Sequence, residues 1–250
     1  MFYSKKLGKF KKINHCFFSR KNGFSKGVYK GLNCGKGSKD NKKNIHKNLN
    51  FVAKKIGVGR NKLILMHQTH SNKVVEIKKK NYRKKIIADA MITKMKGVAL
   101  GVLTADCVPI ILYDIKNEII GCVHAGWKGA FLDIIKKTIL RIKKINSDNK
   151  IYASVGPCID KKNYEVDLKF YKKFLGRSLK NKKYFYSKNN HKKLFNIRGY
   201  ITDKLQEFNV IIDQVNRDTF AEKSNFYSYR RSSKFKENDY GRCISTIYMV

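Results

Sequence analysis

Between Ala88 and Gly126 the chain reads ADAMIT, GVALGVLT, VPIILYD and IIGCVHAG, four apolar runs joined by links of three or four residues. Each run is rich in Val, Ile and Leu and is shorter than an ordinary globular helix, so each reads as a strand. A parallel neighbour needs a crossover of a dozen or more residues, which links this short do not supply. Antiparallel pairing must therefore enter the fold. Other segments carry the helical period. KKNIHKNLNFVAKKI (42–56) places Ile45, Leu49, Val52 and Ile56 at spacings of three and four, with Asp40 or Asn41 as its cap. AFLDIIKKTILRIKKI (130–145) is apolar on one face and basic on the other, and 167–175 and 197–208 also read as helices. LILM (63–66), VVEI (74–77), YASVGP (152–157), NVIIDQV (209–215) and ISTIYMV (244–250) are further strands, and 176–193 reads as a surface excursion. Strands and helices alternating with short turns give an α/β (α+β) chain with a mixed sheet. No composition shift or repeat divides it, so one domain over 1–250 is expected.

Charge narrows the partners. The formal net charge is +38, from 56 Lys and Arg against 18 Asp and Glu. A polyanion partner would exploit this through counterion release, whereas lysines on solvated faces would need no partner. Runs such as KKNYRKK and KNKKYFYSKNNHKK fit both readings. They are scattered along the chain rather than gathered in a basic arm, and no compact RNA-binding signature accompanies them. Nucleic acid is thus not the expected partner, while anionic small molecules suit such a surface. The N-terminal lysines precede no apolar signal core, and the most apolar stretch, 97–113, contains Asp106 and Pro109, so no membrane segment is expected. Six cysteines lack any C-x-x-C pair, which indicates reduced thiols and a cytoplasmic protein.

Pairing VPIILYD with IIGCVHAG through IKNE, with residue numbers summing near 231, sets Cys107 opposite His124 or its neighbour. Facing residues have Cβ atoms about 4.5–5.5 Å apart. A thiol and an imidazole that close suit two chemistries. Histidine can lower the thiol pKa and store its proton, as in cysteine hydrolases. Alternatively, both ligate Zn²⁺, with a third donor from HQTHS: His70 first, His67 second. Without either task, Cys107 is a small buried hydrophobe and His124 a satisfied core histidine. Asp106, beside the thiol, would orient a ligand or shuttle a proton. HAGWKGA (124–130) adds a glycine-rich turn feeding a helix, where Gly126, Gly129 and Lys128 would hold an anion, or which simply turns the strand into the helix with no ligand. Arg230 and Arg231, in FYSYRR, and Arg242, after Gly241, are further phosphate or carboxylate holders, or part of a basic surface strand.

With these motifs collected, the chain resembles the laccase-domain family, also labelled polyphenol oxidase or purine nucleoside phosphorylase. GLNCG (31–35), HQTHS (67–71), ADAMIT (88–93), TADCVPI (104–110), VHAGWKG (123–129), GPCI with YEV (156–166) and FYSYRR with YGR (226–242) carry the resemblance over nearly the whole chain. It implies a four-layer α/β/β/α mixed β-sandwich with a metal, usually zinc, at His70, Cys107 and His124. The implied reactions are phosphorolysis of adenosine, inosine and guanosine, with adenosine deamination and methylthioadenosine cleavage alongside. The expected small-molecule partners are a purine nucleoside and phosphate. A Cys–His hydrolase trimming a cell-wall amino-acyl precursor is the alternative suggested by some relatives. Three positions depart from the family pattern: Asp218-Thr219 where Cys-Thr is usual, Tyr240 for a Thr before Gly-Arg, and Asn196-Ile197 for an Asp-Leu. A four-copper oxidase needs many imidazoles, and this chain has six histidines in all. Zinc stays the ion that the resemblance implies, with a single copper as the alternative.

Overall fold

The apolar runs become strands of two stacked sheets in a computed structural model that describes residues 1–250. The strands are β1 (Ile13–Phe17), β2 (Leu63–His67), β3 (Val74–Glu76), β4 (Ile86–Ile87), β5 (Ala90–Thr93), β6 (Ala99–Thr104), β7 (Val108–Asp114), β8 (Ile119–Ala125), β9 (Ile151–Val155), β10 (Glu165–Asp167), β11 (Phe185–Ser187), β12 (Lys192–Phe195), β13 (Ile211–Gln214) and β14 (Cys243–Met249). The helices are α1 (Lys42–Ile56), α2 (Trp127–Phe131), α3 (Ile134–Ile145), α4 (Leu168–Arg177), α5 (Ile197–Gln206) and α6 (Tyr229–Lys234). One sheet has the order β1-β14-β6-β2-β4 and the other β13-β9-β7-β8-β5-β3, with β10-β12-β11 as a small third sheet. Both large sheets mix parallel and antiparallel neighbours.

Alternation along the strands sorts their side chains into layers. Ile111 and Tyr113 of β7 meet Leu100 and Val102 of β6 and Ile247 of β14 between the two sheets. Their neighbours Ile110 and Leu112 point the other way, onto Ile135 and Ile139 of α3 and Leu205 of α5. On the outer face of the first sheet, Leu63, Ala99 and Ile244 receive Ile45, Leu49, Val52 and Ile56 of α1. Each fully buried Ile, Leu or Val contributes about 1.5–3 kcal/mol relative to exposure. The result is the four-layer α/β/β/α sandwich. Every residue of β7 and β8 is buried because a layer covers each face. No helix is long and apolar enough to cross a membrane.

Several local expectations are corrected. Of the three short links between β5 and β8, only the last closes a hairpin; the first two carry the chain from one sheet to the other and back. Short links thus join layers as well as neighbours. Within the β7–β8 hairpin, Pro109 faces His124 and Val108 faces Ala125, so Cys107 lies just beyond the ladder. Asp106, at φ +85°, turns the chain out of the strand direction there. The helix expected over 130–145 is two helices, α2 and α3, separated at Leu132–Asp133. Asp133 adopts φ +64°, and Asn72 donates to the Leu132 carbonyl at 2.6 Å. Asn41 caps α1 by accepting from the Lys43 amide. Asp40 instead accepts from Ser25 and Asn33. The segment 176–193 is not wholly superficial, because Asn181 and Tyr184 are buried and β11 joins the third sheet. The stretch at 229–234 is the short helix α6 rather than a surface strand, capped by Ser228.

Candidate metal centre

Three chain segments end at one place. The loop after β2 brings His70, the link from β6 to β7 brings Cys107, and the end of β8 brings His124. One ligand atom of each lies within 4.8 Å of the others. Cys107 Sγ is 3.8 Å from His70 Nε2, and the two imidazoles stand edge to face with centroids 4.7 Å apart. Zn–S and Zn–N bonds of about 2.3 and 2.0–2.1 Å arranged tetrahedrally imply donor separations of roughly 3.3–3.6 Å, so a small closure around an ion suffices. His67, the second candidate donor, is exposed at the end of β2 and outside the group.

Asp89 organises this convergence. Its carboxylate is fully buried and accepts 2.8 Å from His124 Nδ1. It also accepts from the backbone amides of Thr69, His70 and Ser71 and from the Ser71 hydroxyl, at 2.6–3.2 Å. Burial alone would raise the Asp89 pKa. The hydrogen bonds from His124 and Ser71 outweigh it and hold the carboxyl well below the usual carboxylate range. Asp89 thereby ties the His70 loop to the β8 end and fixes His124 with Nδ1 on the carboxylate, leaving Nε2 for the cluster. His70 takes the left-handed conformation, φ +56°, within that loop.

Electrostatics couple the thiol to the imidazoles. Burial pushes the Cys107 thiol up, but His124 and His70 pull it down further, toward thiolate. Burial pushes His124 down, but Cys107 and Asp89 carry it up. Cys107 is partly exposed, whereas the other five cysteines are buried free thiols. A thiolate and two imidazoles, one braced by a carboxylate, form a donor set that fits a divalent ion with a position left open.

The glycines of HAGWKG serve close approach. A Cβ on Gly126 would lie 2.9 Å from both Cys107 Sγ and His70 Cδ2, and one on Gly129 would lie 2.9 Å from the Ser71 carbonyl oxygen. Gly126→Ala should therefore displace two donors at once. The expected outcome is a 10–100-fold or larger loss of metal affinity, about that of a disturbed outer shell, measured by competition with a chromophoric chelator on folded protein.

The other expected residues occupy different places. Both oxygens of Asp106 are engaged, Oδ1 by the Thr219 hydroxyl at 2.7 Å, Oδ2 by the Ser228 hydroxyl at 2.9 Å and the Arg230 amide at 2.7 Å. Burial raises its pKa against those bonds. Asp106 thus clamps the 219–230 segment beside Cys107. Arg230 lies with its guanidinium 5.4 Å from the Tyr164 ring centroid. Lys128 is exposed on α2, and Gly126 caps a helix of only five residues.

Two cavities meet at the ligands. One, of about 180 Å³, is walled by Trp127, Tyr164, Tyr229, Ile159 and Ile197. The other, a groove of about 640 Å³, reaches from His124 past Tyr240 and Arg242. Asp89, Tyr164, Tyr229 and Tyr240 are site residues that no sequence reasoning assigned, whereas Arg242, on the groove, is one of the arginines expected to hold an anion. For Asp89 the available signal was a lone carboxylate between alanines at a strand start, a charge that needs partners when buried.

Residues 14–250 match the family described as multi-copper polyphenol oxidoreductase laccase. A purine nucleoside phosphorylase of Rickettsia conorii is 35% identical over 194 residues, 75% of this chain and 78% of that protein. One of Haemophilus influenzae is 30% identical over 243 residues, 95% of each chain. The hypothetical protein YfiH of Bacillus licheniformis shares the fold with a TM-score of 0.87 at 23% identity, over 95% of this chain and 93% of that one. A Neisseria meningitidis protein of family DUF152 does so with a TM-score of 0.85 at 24% identity, over 96% and 95%.

Proposed function

The chain belongs to the multi-copper polyphenol oxidoreductase laccase family, and from that premise we propose that it is a zinc-dependent purine nucleoside phosphorylase of the cytoplasm. Its substrates are adenosine, inosine or guanosine with phosphate, and its products are the base and ribose 1-phosphate. Adenosine deamination and methylthioadenosine phosphorolysis are proposed as side activities. Relatives named purine nucleoside phosphorylase over most of the chain support the reaction class. The observation that carries the reading is the convergence of His70, Cys107 and His124 where an aromatic cavity meets a groove.

When bound, Zn²⁺ would supply Lewis-acid polarisation at its open position. His70 Nε2, Cys107 Sγ and His124 would hold it, and Asp89 keeps His124 in the tautomer that ligates. Trp127 and Tyr164 wall the small cavity and limit water around a bound ligand. Asp106 keeps Arg230 and the 219–230 segment in place beside it. In the reaction a phosphate oxygen bonds to the ribose anomeric carbon as the glycosidic C–N bond breaks, and the base leaves with a proton. The multi-copper chemistry of the family's description is not proposed, because only two of the six histidines come together here.

Metal analysis of freshly purified protein should find about one zinc per chain, as a single three-donor site requires. Adenosine and inosine should release base only when phosphate is present, with ribose 1-phosphate formed in equal amount. Base release that is indifferent to phosphate, or no release from any purine nucleoside, would remove the phosphorylase reading. A second reading, a Cys–His hydrolase, draws on the thiolate-favouring contact of Cys107 with His124.

A further inference from the structure

The two cavities at the metal ligands differ in chemistry, and the difference assigns them. His70 and Cys107 line both, while His124 lines the groove alone, so the ligands form the boundary. The small cavity has flat apolar walls from Trp127, Tyr164 and Tyr229, suited to a planar heterocycle. The groove instead carries Lys36, Arg83, Lys84, Lys85 and Arg242, with no Asp or Glu on its lining. None of these five cations forms an ion pair, whereas Lys and Arg elsewhere make several.

Arg242 is the best held of the five. Its backbone amide donates 2.9 Å to Oδ1 of the fully buried Asn33, which is itself bonded to Asp40. Its guanidinium lies 4.4 Å from the Tyr240 ring centroid, and one Nη1 bond to the Tyr240 carbonyl is its sole hydrogen bond. Most of its donors are thus free in a fork fixed at the groove wall, a geometry matched to phosphate oxygens.

We propose that this groove is the phosphate-binding site, with Arg242, Lys36 and the Arg83–Lys85 run as its cations, and that the purine occupies the aromatic cavity across the metal ligands. This rests on the phosphorylase reading, keeps Arg242 among the expected anion holders and replaces the others. Lys128 lines neither cavity, and Arg230 belongs to the aromatic one. Phosphate and base then approach the sugar from opposite sides of the metal ligands, as displacement at the anomeric carbon requires.

The test is direct binding of orthophosphate to the zinc-loaded protein by calorimetry. Purine binding is followed separately by fluorescence of Trp127, the chain's sole tryptophan. The groove variant is Arg83→Ala/Lys84→Ala/Lys85→Ala, at three exposed positions where folding is not at stake. Arg242→Gln is the second variant. A control, Lys21→Ala/Lys26→Ala/Lys223→Ala, removes the same charge from a separate cleft of about 1210 Å³. Each groove variant should weaken orthophosphate about tenfold or more, the loss of one or more charge-assisted bonds. Adenosine affinity should stay within about twofold, and the control should match wild type. Equal weakening in the control and groove variants would reduce the effect to bulk charge and overturn the proposal, as would unchanged orthophosphate affinity in both groove variants. The two readings fail separately. Orthophosphate lost from the groove variants in a protein that releases no base leaves the site standing and removes the phosphorylase. Phosphorolysis with an unchanged KM for phosphate in the groove variants removes the site alone.

Discussion

His70→Ala is expected to empty the metal centre and to lower kcat/KM for phosphorolysis by at least about 10³-fold, the several kcal/mol that Lewis-acid stabilisation supplies. His70 offers one of only three donor side chains. It is exposed on a loop, so the substitution leaves no hole in the core. Two ligands, Cys107 and His124, make a weak site, and elemental analysis should find the zinc gone while circular dichroism is unchanged. The same variant separates the rival chemistry. A Cys107–His124 hydrolase would retain most of its activity without His70 and would resist chelators, since its proton transfer runs within that pair. Retained zinc at wild-type stoichiometry would show that the three side chains do not share an ion.

Asp89→Asn should be the most damaging substitution of a residue that touches no substrate. The carboxylate is fully buried and gathers hydrogen bonds from His124, Ser71, His70 and Thr69. An amide of the same shape must turn an NH₂ toward some of those donors. Breaking a buried charge pair costs about 3–5 kcal/mol. Losing the second-shell carboxylate behind a ligating histidine costs about 10–100-fold in metal affinity. Both should appear, as a lowered denaturant midpoint and as weakened zinc binding. The pH dependence has a definite sign. The folded-state pKa of Asp89 is depressed, so its contribution is fully present above the ordinary carboxylate value of about 3.9 and is lost as pH falls below it. Thermal melts of chelator-treated wild type should therefore drop more steeply on acidification than those of Asp89→Asn. Parallel curves would show that Asp89 carries no such linkage.

Much of the secondary structure was legible locally. The α1 boundaries match the periodic run 42–56, because a strict 3.6-residue stripe and an Asn cap are properties of adjacent residues. The limits of β7 match, and those of β8 to within one residue, because an apolar run bounded by polar residues is also local. The break at Asp133 was hidden, since the apolar period of α3 runs on through it and the interruption is held by Asn72 from another loop. The observed hairpin register is the one the link length dictates: Asp114 and Ile119 pair directly across the four-residue IKNE link, so Pro109 rather than Cys107 faces His124. Asp89 stood within a recognised motif, yet its donors come from a loop some twenty residues away and from His124 at the end of β8.

The identity of the donor atoms belongs to the chain itself: a thiol and two imidazoles, in segments whose wording marks the family, are chemical facts of single residues. Their approach to within bonding distance of one ion does not. It depends on two sheets stacking, on links that cross between them, and on a buried carboxylate drawing a loop inward. The division between an aromatic cavity and a basic groove is likewise absent from any stretch of sequence. Trp127, Tyr164 and Tyr229 lie far apart along the chain, as do Lys36, Arg83 and Arg242. Packing energy is summed over contacts between distant residues, and it is that sum, rather than local preference, that places them side by side.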